Sequence, residues 1–300
     1  MGMQYRPLFP YFGGKSKVSD VIWEKFGSVN SYIEPFCGSA AVLLKKPDSL
    51  LLKASTINDI DGFIVNLWRS LKFAADEVEY CADYPPTEQD LLARNRFLKE
   101  ERDSLTEYLI RDPMFYSTKH AGWWLWGAGI WLGRGWASTD YKHKLPAAPK
   151  AFCGIHRRTE TEESLHSLIF EVSAKLKKTR ITCGDWRRVL TNCNFLDVVP
   201  AGIFLDPPYS TNDHNYSNAY YHNGNPFNDC VAWCKENGRD RRFRIALSGY
   251  ATNETSGLQD LGWTVYNWDT KGRMNNRSNA SDGSLNSSKE RIWFSPTCEQ

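Results

Sequence analysis

The sequence predicts an α/β fold, a sheet flanked by helices, interrupted by an inserted and mainly helical domain. Three observations carry this expectation. Apolar, strand-like runs alternate with helix-like stretches over residues 8–60 and again over 179–295. Residues 73–176, between them, are dominated by helical patterns. An apolar run, Ala201-Gly202-Ile203-Phe204-Leu205, stops abruptly at Asp206-Pro207-Pro208-Tyr209. Alternation of this kind builds a sheet covered by helices, and a helical block inside it reads as a second domain. The boundaries follow as residues 1–72 with 177–300 for the first domain and 73–176 for the insert.

The elements follow in order. Leu8 to Lys15 is a turn with two glycines and a lysine, and Val18 to Phe26 reads as a short amphipathic helix. Tyr32-Ile33-Glu34 is a short strand, followed by the tight loop Pro35-Phe36-Cys37-Gly38-Ser39. Ala40 to Leu44 opens a helix, and Leu50 to Ile57 returns as a strand ending in Asn58-Asp59. Thr87 to Arg111 is rich in Leu, Glu, Arg and Lys without Gly or Pro, which predicts a helix. Met114 to Leu132 is aromatic-rich and helical, Gly133 to Arg158 is basic and irregular, and Glu162 to Lys178 is helical again. Strands are expected at 180–183, 201–205, 243–247, 263–268 and 290–294, with a Ser/Asn/Gly-rich loop over 270–288.

Composition narrows the class. With 300 residues, 41% hydrophobic and 24% charged, the chain is an ordinary globular protein long enough for a real core. A net charge of +2 does not by itself imply a nucleic-acid partner. None of the eight cysteines shows CxxC spacing, so no metal is expected and the thiols read as free ones in a reducing compartment. The N-terminus has no charged-then-apolar leader, and no stretch reaches the roughly 18 apolar residues of a membrane span. The expectation is a cytoplasmic protein with no membrane partner.

The chemistry is concentrated at Asp206-Pro207-Pro208-Tyr209. Asp206 and Pro207 each precede a proline, which disfavours helical backbone there, so the strand end is rigid and extended. It presents a carboxylate, a proline carbonyl and an aromatic ring around a small volume. Such a site suits a planar group with an exocyclic amine, whose two N–H groups find acceptors while the ring stacks on its face.

A second set of residues suits a nucleotide-like ligand. The run strand, Gly38 loop, helix, strand, Asp59 has the outline of a nucleotide-binding βαβ unit. Gly38 allows close backbone approach. Asp59 follows 21 residues later, the usual distance for an acid that binds ribose hydroxyls. One glycine stands where dinucleotide sites have three, which disfavours a dinucleotide. Asp185 at a third strand end could accept from an adenine amino group, and Trp186 could stack on it.

Tyr11-Phe12-Gly13-Gly14-Lys15, Glu34 to Ala40, Asn58-Asp59 and Asp206 to Tyr209 occur in this order. Together they resemble the Dam-type DNA adenine-N6 methyltransferases, over residues 8–60 and 179–295. The resemblance implies a Rossmann-like methyltransferase sheet, S-adenosyl-L-methionine as cofactor and double-stranded DNA as partner. It implies that Tyr11, Lys15, Glu34, Pro35, Phe36, Gly38, Ser39, Asp59, Asp185, Trp186 and Asp206 line the cofactor site. Asp206, Pro207, Pro208 and Tyr209 would form the pocket for a flipped adenine, and the insert would recognise the target. Tyr11 stands where these enzymes often carry Trp, and Ala40 where many have a second Gly. Candidate DNA contacts are Arg96, Arg134, Lys142, Lys144, Arg157, Arg158, Lys271, Arg273 and Arg277. A methyltransferase for RNA adenine or cytosine N4, and an inactive DNA-binding protein of the same fold, remain alternatives. A monomer or weak dimer is expected.

Overall fold

The structure is a computed structural model that describes residues 7–11, 14–131, 136–138, 165–191, 198–208, 225–268 and 290–299. In chain order its elements are α1 (Ser19–Phe26), β1 (Ser31–Glu34), α2 (Ala41–Leu44), β2 (Ala54–Asp59), α3 (Gly62–Phe73), α4 (Ala75–Ala82), α5 (Glu88–Arg111), α6 (Thr118–Ala128) and α7 (Leu165–Leu176). Then come β3 (Thr179–Cys183), α8 (Arg187–Thr191), β4 (Ala201–Leu205), α9 (Pro226–Asn237), β5 (Phe243–Tyr250), β6 (Thr264–Asn267) and β7 (Glu290–Phe294). They fall into two compact units. One is Met1–Gly14, Gly38–Leu44 and Asp61–Gly184; the other is Lys15–Cys37, Lys45–Ile60 and Asp185–Gln300.

The second unit holds the expected Rossmann-like sheet flanked by helices. Its strands run in the order β2-β1-β4-β5-β7-β6. The first four are parallel, and β7 is antiparallel to both β5 and β6. Both faces are covered, which is why β1 and β4 are buried throughout and β4 is apolar along its whole length. Ile33, Ile203, Leu205, Ile245 and Leu247 pack with Val189 and Leu190 of α8 and with Phe227, Cys230, Val231 and Cys234 of α9. On the opposite face Tyr32 meets Trp23 of α1 with ring centroids 4.8 Å apart. Gly202 lies there too: a Cβ on it would stand 2.9 Å from the Phe26 ring, so glycine is what lets α1 approach.

The first unit is mainly helical and contains β3. Its central helix, α3, is buried from Gly62 through Leu71. Asp61 caps it, accepting from Phe63 N at 2.9 Å. Arg69 ties the unit together. Its Nε donates to Ile181 O at 3.1 Å, and its Nη1 reaches the carbonyls of Leu109, Asp112 and Phe115 at 2.9–3.2 Å. The tryptophan-rich α6 is core. Trp126 is fully buried and donates to Tyr84 O at 2.6 Å, and the Arg94 guanidinium stacks 4.1 Å above its ring.

Two expected elements are shorter than their patterns. The strand expected from Leu50 begins only at Ala54, because the chain turns at Pro47, whose carbonyl accepts from Leu50 N. The helix expected from Met114 begins at Thr118. Asp112 instead makes a turn, with its Oδ1 accepting from Met114 N at 2.8 Å, and Asn66 Oδ1 takes the N–H of Ser117 at 2.7 Å.

Candidate active site

The sheet reverses its strand order between β1 and β4, since β1 has β2 on one side and β4 on the other. Open α/β sheets bind ligands outside the carboxyl ends of the strands at such a reversal. Ile33 pairs with Ile203, so Glu34 and Asp206 emerge at the ends of adjacent parallel strands. Pro207 is buried and Pro208 partly so, while Tyr209 lies outside the described residues.

Lys15 enters this end of the sheet from the turn before α1. Its Nζ lies 2.8 Å from Asp206 Oδ2 and 3.2 Å from Glu290 Oε1. Lys15 is 3% exposed and Glu290 1%, whereas the Asp206 side chain is 19% exposed and stands at the open side of the cluster. Burying two such charges is tolerated because each has an opposite charge within hydrogen-bond reach. Sequence reasoning brings Lys15 and Asp206 to one site but does not find Glu290. Its only sequence signal is an acid opening the apolar strand Glu290-Arg291-Ile292-Trp293-Phe294.

The neighbouring strand ends are also acidic and ordered. Glu34 Oε2 accepts from the Tyr32 hydroxyl at 3.0 Å. Burial first, and then the Glu34 carboxylate, push the Tyr32 phenol well above its ordinary range. Asp59 ends β2 and is 1% exposed. Beside it Asn58 Nδ2 donates to Pro35 O at 3.0 Å, and Cys37 N donates to Asn58 O at 2.9 Å, which fixes the loop after β1 to the end of β2. The Phe36 and Trp186 rings meet at 5.8 Å.

Asp185 closes a local turn: its Oδ1 accepts from Arg187 N at 2.8 Å and its Oδ2 pairs with Arg187 Nη1 at 3.0 Å. Arg187 also pairs with Asp229. A cleft of about 240 Å³ opens here, lined by Trp186, Arg187, Asp229 and Trp233 among others. Trp186 Nε1 is buried and has no hydrogen-bond partner among the described residues.

Tyr11, Gly38 and Ser39 belong to the first unit. Gly38 has φ +43°, and a Cβ on it would stand 2.4 Å from Tyr11 Cε1. The backbone and the ring thus both demand glycine. The Gly38 carbonyl accepts from Trp68 Nε1 at 2.9 Å. Arg96 is 81% exposed and faces Glu100 one helical turn on. Arg134, Lys142, Lys144, Arg157, Arg158, Lys271, Arg273 and Arg277 lie outside the described residues.

Cys230 and Cys234 lie in the core under the sheet, and burial pushes both thiols up. Among the described residues no group of three or more His, Cys, Asp and Glu could hold a metal ion. No described helix is long and apolar enough to cross a membrane.

An α/β sheet with acids gathered at the carboxyl ends of its parallel strands is the arrangement in which open α/β folds bind nucleotides and cofactors. The comparisons narrow this. Residues 11–111 match the model of a family described as D12 class N6 adenine-specific DNA methyltransferase. Over 214 residues the chain is 25% identical to the DNA N-6-adenine-methyltransferase of Escherichia phage P1, covering 68% of this chain and 24% of that protein. The chain thus spans about a quarter of the length of that relative. Both findings bear out the resemblance to adenine methyltransferases read from the sequence.

Proposed function

We propose that this chain is a site-specific DNA methyltransferase acting on N6 of an adenine flipped out of duplex DNA, with S-adenosyl-L-methionine as donor. The observation that carries this reading is the Lys15–Asp206 pair at the strand-order reversal, which joins the two most distant parts of the sequence motif set. The family match and the phage relative, named a DNA N-6-adenine-methyltransferase, favour adenine over cytosine.

The residues present fit the cofactor. Its polar periphery is donor-rich: an ammonium, ribose hydroxyls and an exocyclic amine. The acids Glu34, Asp59 and Asp185 at successive strand ends offer matching acceptors. We assign these, with Lys15, Pro35, Phe36, Trp186 and Asp206, to cofactor binding. Tyr11, Gly38 and Ser39 join them on the sequence resemblance. When bound, the cofactor supplies a methyl group made electrophilic by a sulfonium sulfur.

Within the chain, Asp206 and the Pro207 carbonyl accept the two N–H hydrogens of the adenine amine. That lone pair is delocalised into the ring, and accepting both hydrogens draws the nitrogen toward tetrahedral geometry and localises it. Pro207 and Pro208 hold the acceptors rigid, and Tyr209 stacks on the extruded base, which supplies roughly 1–3 kcal/mol. A base inside a duplex cannot reach this site, so flipping is required. Positioning and electrostatics supply the acceleration, and no covalent enzyme intermediate is involved.

Residues 73–176 are assigned to target recognition, and residues 1–72 with 177–300 to catalysis. Arg96, Arg134, Lys142, Lys144, Arg157, Arg158, Lys271, Arg273 and Arg277 are assigned to the DNA backbone. Their contribution implies an affinity that falls with salt. The protein acts in the cytoplasm as a monomer or weak dimer. Sequencing modified bases in DNA from a methylation-deficient host expressing the chain tests the reading. N6-methyladenine in a defined sequence context is expected; unmodified DNA, or methyl groups on cytosine, would overturn it.

A further inference from the structure

We propose that Glu290 is a positioning residue for methyl transfer, acting through Lys15 to hold Asp206 as a negatively charged, correctly aimed acceptor. The inference rests on the methyltransferase reading above and adds a residue to it. Glu290 opens β7 and pairs with Tyr250 at the carboxyl end of β5, the strand beside β4. It therefore sits at the same edge of the sheet as Asp206, although 84 residues away in sequence.

The geometry separates its role from that of Asp206. Glu290 is 1% exposed and sealed behind Lys15, so it does not meet the base, while Asp206 faces the opening. A lysine ammonium is a point charge on a flexible stem, and one anchor leaves it free to swing. Asp206 at 2.8 Å and Glu290 at 3.2 Å anchor Lys15 from two sides. Charge points the same way. Lys15 alone would neutralise Asp206 and weaken it as an acceptor. With Glu290 the trio keeps one net negative charge as N6 turns cationic, and a preorganised charge of that sign lowers the barrier. A purely structural site of this burial could be filled by apolar side chains instead.

The test uses Glu290→Gln, Lys15→Met and the double variant. Single-turnover transfer of tritiated methyl to unmethylated plasmid DNA is measured, with S-adenosylhomocysteine affinity by calorimetry and thermal midpoint alongside. Glu290→Gln is expected to slow transfer about tenfold or more, with ligand affinity held within about twofold. In the Lys15→Met background the same change is expected to add nothing, because its route is gone. Transfer by Glu290→Gln within about threefold of the wild type, or losses that multiply in the double variant, would overturn the inference. If Glu290→Gln does not fold, the double variant still decides, since it removes both buried charges together. A folded double variant matching Lys15→Met supports the inference, and a slower one overturns it. A wild type that transfers no methyl overturns the methyltransferase reading and this inference together. An active wild type with an unaffected Glu290→Gln overturns this inference alone.

Discussion

Trp68 Nε1 donates to the Gly38 carbonyl at 2.9 Å, so the middle of α3 holds the glycine loop that follows β1. Trp68 is 1% exposed, and Gly38 itself has no room for a side chain beside Tyr11. Gly38→Ala is therefore expected to cost about 1 kcal/mol in left-handed backbone alone and to push the Tyr11 ring aside. The fold should survive, by circular dichroism, while S-adenosylhomocysteine binding by calorimetry weakens about tenfold or more. An unchanged affinity would remove Gly38 from the cofactor site.

Asp206→Ala is expected to abolish methyl transfer and leave cofactor affinity largely intact, since the other acids proposed to hold the cofactor, Glu34, Asp59 and Asp185, remain. The proline-stiffened strand end remains, and Lys15 keeps Glu290 at 3.2 Å as its partner. Transfer of labelled methyl and calorimetric titration measure the two effects separately. A variant with wild-type turnover would refute the acceptor role.

Arg69→Met should be among the most destabilising changes in the first unit. Arg69 is 2% exposed, and its guanidinium serves four backbone carbonyls drawn from β3, α5 and the turn after α5. Burial, its leading cause, already lowers the affinity of this group for its proton. Removing it strands buried acceptors, and a loss of roughly 3 kcal/mol or more is expected by urea denaturation. A loss below about 1 kcal/mol would show that water or side chains replace these bonds.

His120 introduces a pH dependence. Its Nδ1 shares a 2.7 Å hydrogen bond with Ser117 Oγ, and its Nε2 is buried without a partner among the described residues. Burial lowers its pKa below 6.5; Lys119 adds to this and Glu101 opposes it. The unfolded chain therefore binds the proton more readily than the folded one. The stability is fully present above pH 6.5 and is lost as pH falls toward the lower folded value. His120→Asn should flatten thermal midpoints between about pH 7.5 and pH 5.5 relative to the wild type. Parallel profiles would assign the acid sensitivity elsewhere.

Much of the sheet was legible because its strands are apolar runs closed by breakers. β4 ends at Asp206-Pro207-Pro208, and β7 spans the same residues that its pattern marks. The helix α9 was harder to read. Its 12 residues mix Cys, Trp, Asn and charges with weak periodicity, although Asn225 caps Phe227 N and Pro226 opens the first turn. The short start of α6 was hidden for another reason: Asn66, 51 residues away, takes the N–H of Ser117. In the candidate site, Lys15, Glu34, Asp59, Asp185 and Asp206 could be singled out because each sits in or beside a local turn or strand end.

The sequence by itself determined the alternating α/β pattern, the proline-stiffened strand end at Asp206 and the likeness to adenine methyltransferases. Each depends on contiguous residues, whose backbone preferences and side-chain chemistry are local properties. The tertiary structure alone decided that Lys15 lies between Asp206 and Glu290. Asp206 is 191 residues from Lys15, and no local preference joins them. What joins them is burial at one edge of the sheet, where a charge persists only with an opposite charge beside it. An acid at the head of an apolar strand reads in sequence as a solvated end. Only the packing of β7 against β5 turns it inward.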